Sequence, residues 1–269
     1  MKKRRKSMLY IFLVLILLGI LYMLWENTHF TTTQYEYKNP KVPEEMDGLR
    51  ILQISDLHNQ SYGKDNSRLL DAVKKCEADV IVITGDLVDS TFTDTETALA
   101  FASELVEIAP VYYCTGNHEY RMEKEKLETF LANLSAIGVR VLRNEAVPFY
   151  GGLLVGLDDP HSDTDTLSQI LKEQDKDVFT ILLSHKPQHL ENYLEADLVL
   201  AGHAHGGQIV IPFVGGLLAP GQGYFPKYTK GFYTMENTTM LVSRGIGNSH
   251  RVPRIFNMPE LVLLTLRCQ

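Results

Sequence analysis

Leu198-Val199-Leu200-Ala201-Gly202-His203-Ala204-His205-Gly206-Gly207-Gln208 sets two imidazoles one residue apart at the end of an apolar run, with glycines on both sides. A buried strand ending in such a turn presents both rings together, and the glycines let backbone pass close to whatever the rings hold. One His-x-His is a weak sign of a metal. The same grammar recurs, however, at four other apolar runs. Residues 50–55 lead into Asp56-Leu57-His58, residues 80–84 into Gly85-Asp86, residues 111–115 into Gly116-Asn117-His118-Glu119, and residues 178–183 into Ser184-His185-Lys186-Pro187. Taken singly, Asp56, Asp86 and Asn117 are ordinary turn residues. Turn chemistry does not account for the repetition.

Asp56, His58, Asp86, Asn117, His185, His203 and His205 supply four imidazoles, two carboxylates and a carboxamide, with no thiolate. A mixed nitrogen and oxygen set suits Mn²⁺, Fe²⁺ or Zn²⁺ better than Ca²⁺ or Mg²⁺. Seven donors are too many for one tetrahedral ion. They fit two divalent metal ions that share a carboxylate and keep positions for water or substrate. Two such ions outweigh the charges of Asp56 and Asp86, so the centre favours an anionic substrate such as a phosphate ester.

The elements that must carry these residues alternate. From Leu49 onward short apolar runs exchange with helical periodicity, the pattern of an α/β domain. Helical spacing covers residues 66–77, with Leu69, Leu70 and Val73 on one face, then 95–108, 123–137 and 166–173. Strands are predicted over 50–55, 80–84, 111–115, 153–157, 178–183, 198–201, 239–244 and 259–266. Open α/β sheets bind ligands at the carboxyl ends of their strands, where the polar clusters fall. Pro187 blocks continuation and holds His185 at a strand tip. Residues 206–231, rich in Gly, Pro and aromatics, read as a long ordered loop.

The succession Asp56-x-His58, Gly85-Asp86, Gly116-Asn117-His118-Glu119, His185 and Gly202-His203-x-His205 resembles the calcineurin-like metallophosphoesterase family, over residues 49–266 and in family order. The glycine-rich tail from His205-Gly206-Gly207-Gln208 through Ser243-Arg244-Gly245-Ile246-Gly247 is similar to the membrane-associated YkuE/YaeI-like branch. Relatives of that branch include phosphodiesterases and UDP-2,3-diacylglucosamine pyrophosphatases. The resemblance implies a four-layered α/β/β/α sandwich of two mixed sheets. It also implies one metal on Asp56, His58 and His205, a second on Asn117, His185 and His203, and Asp86 bridging both. A water between the ions would lose its proton near neutral pH and attack phosphorus in line. By the same resemblance His118 stabilises the phosphoryl oxygens or protonates the leaving group, and Asp89 orients it. The plain alternative for Asp89 is an exposed turn aspartate. Asn59, Arg244 and His250 stand as candidates for substrate contact, and His161 reads as solvent-exposed in a polar loop.

Lys2, Lys3, Arg4, Arg5 and Lys6 carry five positive charges of a formal net −7, which leaves −12 on the remainder. So acidic a remainder argues against general nucleic-acid binding. Residues 8–25 carry no charge and as a helix would be about 27 Å long, close to the hydrocarbon thickness of a bilayer. No small residues suited to cleavage precede Trp25, and Tyr22 and Trp25 suit a membrane interface, so the segment reads as an uncleaved anchor. The expected organisation is a basic cytoplasmic segment (1–7), a transmembrane anchor (8–25), a linker (26–47) and a catalytic domain (48–269) outside the cytoplasm, by the positive-inside bias. Within the linker the alternation Tyr35-Glu36-Tyr37 allows an edge strand instead. Cys76, Cys114 and Cys268 do not form a disulfide framework. The function expected is hydrolysis of a phosphodiester or pyrophosphate, on a lipid-linked or envelope substrate. A metal-dependent nuclease and a non-catalytic scaffold of the same fold are the alternatives.

Overall fold

Runs such as Val80-Ile81-Val82-Ile83 have no polar face, so a strand made of them must be covered on both sides. The computed structural model describes residues 2–159, 164–175, 177–248 and 252–268. In chain order its elements are α1 (Lys2–Thr28), β1 (Thr31–Lys38), β2 (Arg50–Ile54), α2 (Ser67–Lys75), β3 (Val80–Thr84), α3 (Thr95–Val106), β4 (Val111–Cys114) and α4 (Lys124–Ala136). Then come β5 (Arg140–Val141), β6 (Glu145–Phe149), β7 (Gly152–Gly156), α5 (Thr164–Leu171), β8 (Thr180–Leu183) and β9 (Leu198–Ala201). Four two-residue strands follow as β10 (Val210–Ile211), β11 (Gly215–Gly216), β12 (Leu218–Ala219) and β13 (Gly223–Tyr224), before β14 (Gly231–Met235), β15 (Thr238–Val242) and β16 (Glu260–Arg267).

Two six-stranded mixed sheets result, ordered β1-β16-β2-β3-β4-β5 and β14-β15-β9-β8-β7-β6. Alternation along the strands sorts their side chains into three cores. Val80 and Val82 face the second sheet, where they meet Ile181, Leu183, Leu198 and Leu200. Ile81 and Ile83 face outward under Leu69 and Val73 of α2, Phe101 of α3 and Phe130 of α4. Leu182 and Val199 point to the opposite outer face, covered by Leu167 of α5 together with Leu190 and Tyr193. The layers are therefore α/β/β/α, the last of them thin. Parallel pairing of β2, β3 and β4 in one sheet and of β7, β8 and β9 in the other gives each sheet a set of carboxyl ends.

The expected helices and strands all appear, displaced by a few residues at their ends. The expectation of a linker over 26–47 needs correction. Thr31–Lys38 pairs in parallel with β16 along its whole length as the edge of the first sheet. β-Branched and aromatic residues with period-two burial produce that strand, and Pro40 and Pro43 lie beyond its end. The long loop at 206–231 is folded into two small hairpins, β10–β11 and β12–β13. β6 is not among the expected strands; it carries Pro148 and forms an edge of its sheet, where a missing N–H is tolerated. All three cysteines are free thiols, and Cys76 and Cys114 are buried.

Residues Lys6–Thr28 of helix α1 are long and apolar enough to cross a membrane, and the most apolar 18-residue window among them has mean hydropathy 2.6 and is not buried against the domain. Its last turn behaves differently. Glu26 is buried, and its carboxylate accepts the N–H groups of Phe256 and Asn257 at 2.9 and 2.6 Å. Asn27 and the Arg254 backbone exchange two hydrogen bonds, each of 2.9 Å.

Candidate metal centre

Every one of the seven donors leaves the carboxyl end of a parallel strand. Asp56 and His58 follow β2, Asp86 follows β3 and Asn117 follows β4; His185 follows β8, and His203 and His205 follow β9. The turns are sharp. Asp56, His58, Asp86, His203 and His205 all hold positive φ, between 45° and 65°. Non-glycine residues in that region cost about 1–3 kcal/mol each and concentrate at functional sites. Bonds between loops offset the strain: the Asp56 carboxylate accepts the N–H of His203 at 3.0 and 3.1 Å and also the Ser55 hydroxyl. Gly116 and Gly202 permit the close approach, since a Cβ at Gly116 would strike Asp86 and one at Gly202 would strike Ser55 and Asp56.

The side chains converge in two groups, Asp56 with His58 and His205, and Asp86 with His185 and His203, and a third group, His58 with Asp86 and His118, links them. His205 Nε2 lies 3.4 Å from Asp56 Oδ1 and 3.3 Å from His58 Nε2. In the other group His185 Nε2 lies 3.1 Å from Asp86 Oδ2 and 3.1 Å from His203 Nδ1. Asp86 Oδ2 is also 3.6 Å from His58 Nε2, so one oxygen faces both groups. Donors about 2.1 Å from a shared ion stand roughly 3.0–3.4 Å apart in octahedral or tetrahedral geometry, which these separations approach. Asn117 Oδ1 is buried and accepts no hydrogen bond among the described residues. A carboxamide oxygen so placed, beside imidazoles crowded nitrogen to nitrogen, fits a cation-binding set. Asp86, Asn117, His118, Arg121, His203, His205 and Pro220 line a cavity of about 40 Å³, room for ions and water but not for a whole ester.

Residues 49–207 match the family model described as calcineurin-like phosphoesterase. The chain belongs to this family. Among its relatives, the uncharacterized metallophosphoesterase YkuE of Bacillus subtilis is 28% identical over 247 residues, covering 88% of this chain and 85% of YkuE. A transmembrane protein with metallophosphoesterase domain from Bos taurus is 29% identical over 260 residues, 87% of this chain but 56% of that longer protein. A solved dimetal phosphatase from Danio rerio superposes with a TM-score of 0.50 at 15% identity, covering 74% of this chain and 88% of that one, a likeness of fold. As a calcineurin-like phosphoesterase, the protein is a metal-dependent phosphoester hydrolase.

The charge balance of this phosphoesterase site favours cations. Burial would raise the Asp86 carboxyl, but His185 and then His58 hold it well below the usual range. Burial likewise works against ionised Asp56, and His205 and His58 overcome it. Burial foremost pushes His203 down to about 3, holds His205 well below the usual imidazole range, and lowers His118 to about 4, which keeps their lone pairs free. His185 is the exception. Burial would depress it, yet Asp86 and Asp56 push it up to about 10. A folded-state pKa raised above the unfolded value of about 6.5 contributes stability that is complete below it and lost as pH rises toward 10. Chelated protein should therefore lose thermal stability between pH 7 and 9.5. Manganese-loaded protein, with His185 already deprotonated, should show a flatter profile. Melting curves across that range, with and without chelator, check the difference, and equal slopes would contradict it.

His118 and Asp89 stand close but not hydrogen-bonded. His118 Nδ1 lies 3.5 Å from Asp89 Oδ2, while the N–H of Ser90 reaches the same nitrogen at 3.0 Å. Asp89 Oδ1 instead accepts the N–H groups of Thr91 and Phe92. Arg121, one short turn beyond His118, brings Nη1 within 3.1 Å of His118 Nε2. Arg244, the guanidinium singled out by its charge and bidentate geometry, is committed elsewhere, to Glu260 at 2.6 Å and Thr33 at 3.3 Å. Asn59 is likewise taken up by its own loops, accepting from Asp89 N–H and donating to the Asp94 carbonyl. His161 and His250 lie outside the described residues.

Of three bracing residues, Glu119 closes the Gly116-Asn117-His118-Glu119 motif without a role read for it there, and Arg254 and Asn257 lie outside every motif. Glu119, fully buried, accepts the N–H groups of Asp86, Leu87, Val88 and Gly116 at 2.8–3.3 Å and so ties two metal-site loops together. Arg254, also fully buried, donates to the carbonyls of Arg244 and Gly247 and brings Nη2 within 3.2 Å of His205 Nδ1. Asn257 Nδ2 donates to the carbonyls of His205 at 2.7 Å and Gln208 at 3.1 Å. Removing this brace with Asn257→Ala should lower manganese affinity by about ten-fold or more, as for other residues that position metal ligands. Calorimetric titration of full-length protein measures it, and unchanged affinity would show that the His205 turn is held without Asn257.

Proposed function

We propose that the chain is a two-metal phosphodiesterase anchored in a membrane, which cleaves a phosphodiester or pyrophosphate bond in a lipid-linked or envelope substrate. The observation that carries this reading is Asp86 Oδ2, which faces His58 on one side and His185 on the other. One ion would sit with Asp56, His58 and His205, the second with Asn117, His185 and His203, and Asp86 would serve both. Bound there, divalent ions supply positive charge to phosphoryl oxygens and acidify water. The rest falls to the chain. Neutral His118 offers a ring nitrogen at the edge of the cavity to the phosphoryl or leaving-group oxygen. Asp89, 3.5 Å behind it, would help orient it together with the Ser90 N–H, and exposed Arg121 adds a guanidinium for a non-bridging oxygen. A single guanidinium suits the single charge of a diester better than a dianionic monoester.

Anchoring rests on the apolar helix and on the relatives named as transmembrane proteins. The basic cluster before it supports a cytoplasmic amino terminus with the catalytic domain on the far side. The test is turnover by full-length, manganese-loaded protein in detergent on bis-p-nitrophenyl phosphate, p-nitrophenyl phosphate, a nucleotide-sugar pyrophosphate and a phospholipid. Diester or pyrophosphate hydrolysis should exceed monoester hydrolysis, and a preferred monoester would overturn the reading. Salt-sensitive DNA cleavage would favour the nuclease alternative.

A further inference from the structure

Eleven large apolar side chains beyond α1 are exposed among the described residues, and eight of them fall within residues 209–225 and 252–256. Single exposed apolar residues are ordinary, but such concentration marks a contact surface. Phe213, at the tip between β10 and β11, is fully exposed, and Tyr224, which ends β13, and Phe225 just after it are 74% and 63% exposed. The two segments are joined, since Ile209 and Ile255 form a parallel bridge and Val210 N–H donates to the Ile255 carbonyl at 2.9 Å. The next residue, Phe256, meets Tyr22 of α1 with ring centroids 5.7 Å apart. The apolar surface is thus continuous with the end of the anchor. From Ile209 to Phe213 the chain spans at most about 14 Å, so the hairpin tip stays within that distance of the bridge to Ile255.

We infer that these hairpins and the 252–256 segment form an apolar foot resting in the headgroup region of the bilayer that α1 crosses, with the metal site opening onto that surface. The inference deepens the reading of an anchored phosphodiesterase and rests on α1 as its anchor. Its substrates are phosphate esters carried by lipids. Glu26 and Asn27 lock the last turn of α1 to residues 254–257, so the domain does not swing freely on its anchor. Foot and site share structure: Pro220, in the turn between β12 and β13, lines the cavity, and Asn257 braces the His205 carbonyl. Aromatic side chains with a polar neighbour backbone are suited to the interface, where a helix end and a loop tip insert together.

Two measurements test it on the full chain reconstituted in phosphatidylcholine–phosphatidylglycerol vesicles. Trp25 is the single tryptophan, so Trp25→Phe gives a silent background in which Phe213→Trp reports alone. Its fluorescence should be quenched by lipids brominated near the glycerol end and shielded from aqueous iodide. Quenching by iodide alone, or shielding from both as by a protein partner or second copy, overturns the proposal. The second measurement compares Phe213→Ser/Val214→Ser/Phe225→Ser with wild type, none of these residues lining the cavity. Hydrolysis of a vesicle-embedded phosphodiester lipid should fall about ten-fold or more, with bis-p-nitrophenyl phosphate turnover unchanged. An equal fall on both substrates, or on neither, contradicts a membrane role. Quenching does not depend on turnover, so an inactive wild-type enzyme would defeat the phosphodiesterase reading while leaving the foot to be judged on fluorescence.

Discussion

Asp86→Asn is expected to reduce turnover by at least about a thousand-fold and to lower bound metal at both positions. Asp86 Oδ1 accepts the N–H of His118 at 2.8 Å, and a carboxamide oxygen can keep that bond. The new NH₂ then points where Oδ2 now stands, toward His58 Nε2 at 3.6 Å and His185 Nε2 at 3.1 Å. One negative charge and the one shared donor are lost together, and a hydrogen-bond donor faces the cations. Metal ions contribute several kcal/mol of transition-state stabilisation, and each factor of ten corresponds to about 1.36 kcal/mol, hence the thousand-fold figure. Diester turnover and metal content by mass spectrometry, measured on the same sample, check both parts. Full activity with a full metal complement would remove the shared-ligand assignment.

Glu119→Ala should have the largest effect on stability. Its carboxylate accepts four backbone N–H groups, from Asp86 at 3.0 Å, Leu87 at 2.8 Å, Val88 at 3.3 Å and Gly116 at 2.8 Å. Burial first, then the Asp86 charge, pushes this carboxyl up to about 7, against the bonds from Gly116 and Val88. The alanine variant leaves those donors buried and unpaired, at about 1–3 kcal/mol each, so a loss on the order of 4 kcal/mol or more follows. Typical domains have only about 5–15 kcal/mol in total. Glu119→Gln should be milder, because the amide oxygen still accepts on one side while its NH₂ opposes the N–H groups on the other. Denaturant unfolding of both variants measures the ranking, and an alanine variant as stable as wild type would show that water replaces the carboxylate.

The donor set was legible because each donor obeys a local rule, an apolar strand followed at once by a polar turn. Gly85-Asp86 and Gly202-His203 announce themselves in sequence because an apolar run gives way at once to glycine and a polar side chain, although the turns themselves are buried. The braces obey no local rule. Glu119 acts on N–H groups up to 33 residues away, and Glu26 and Asn27 act on partners 227 to 231 residues away. Only the fold creates those neighbours. Arg244 stood as a candidate substrate contact, and the outcome turned on Glu260 at the start of β16, which holds its guanidinium at 2.6 Å. β1 was ambiguous for a different reason. An exposed edge strand with alternating Thr, Tyr and charged residues has the composition of a linker until β16 provides a partner.

The central claim is that two cations share Asp86. Anomalous diffraction at the manganese edge, from crystals of the full-length protein grown with manganese, tests it most directly. The account predicts two peaks flanking Asp86 Oδ2, one against Asp56, His58 and His205, the other against Asn117, His185 and His203. A single peak, or none within reach of Asp86 in fully soaked crystals, would contradict it.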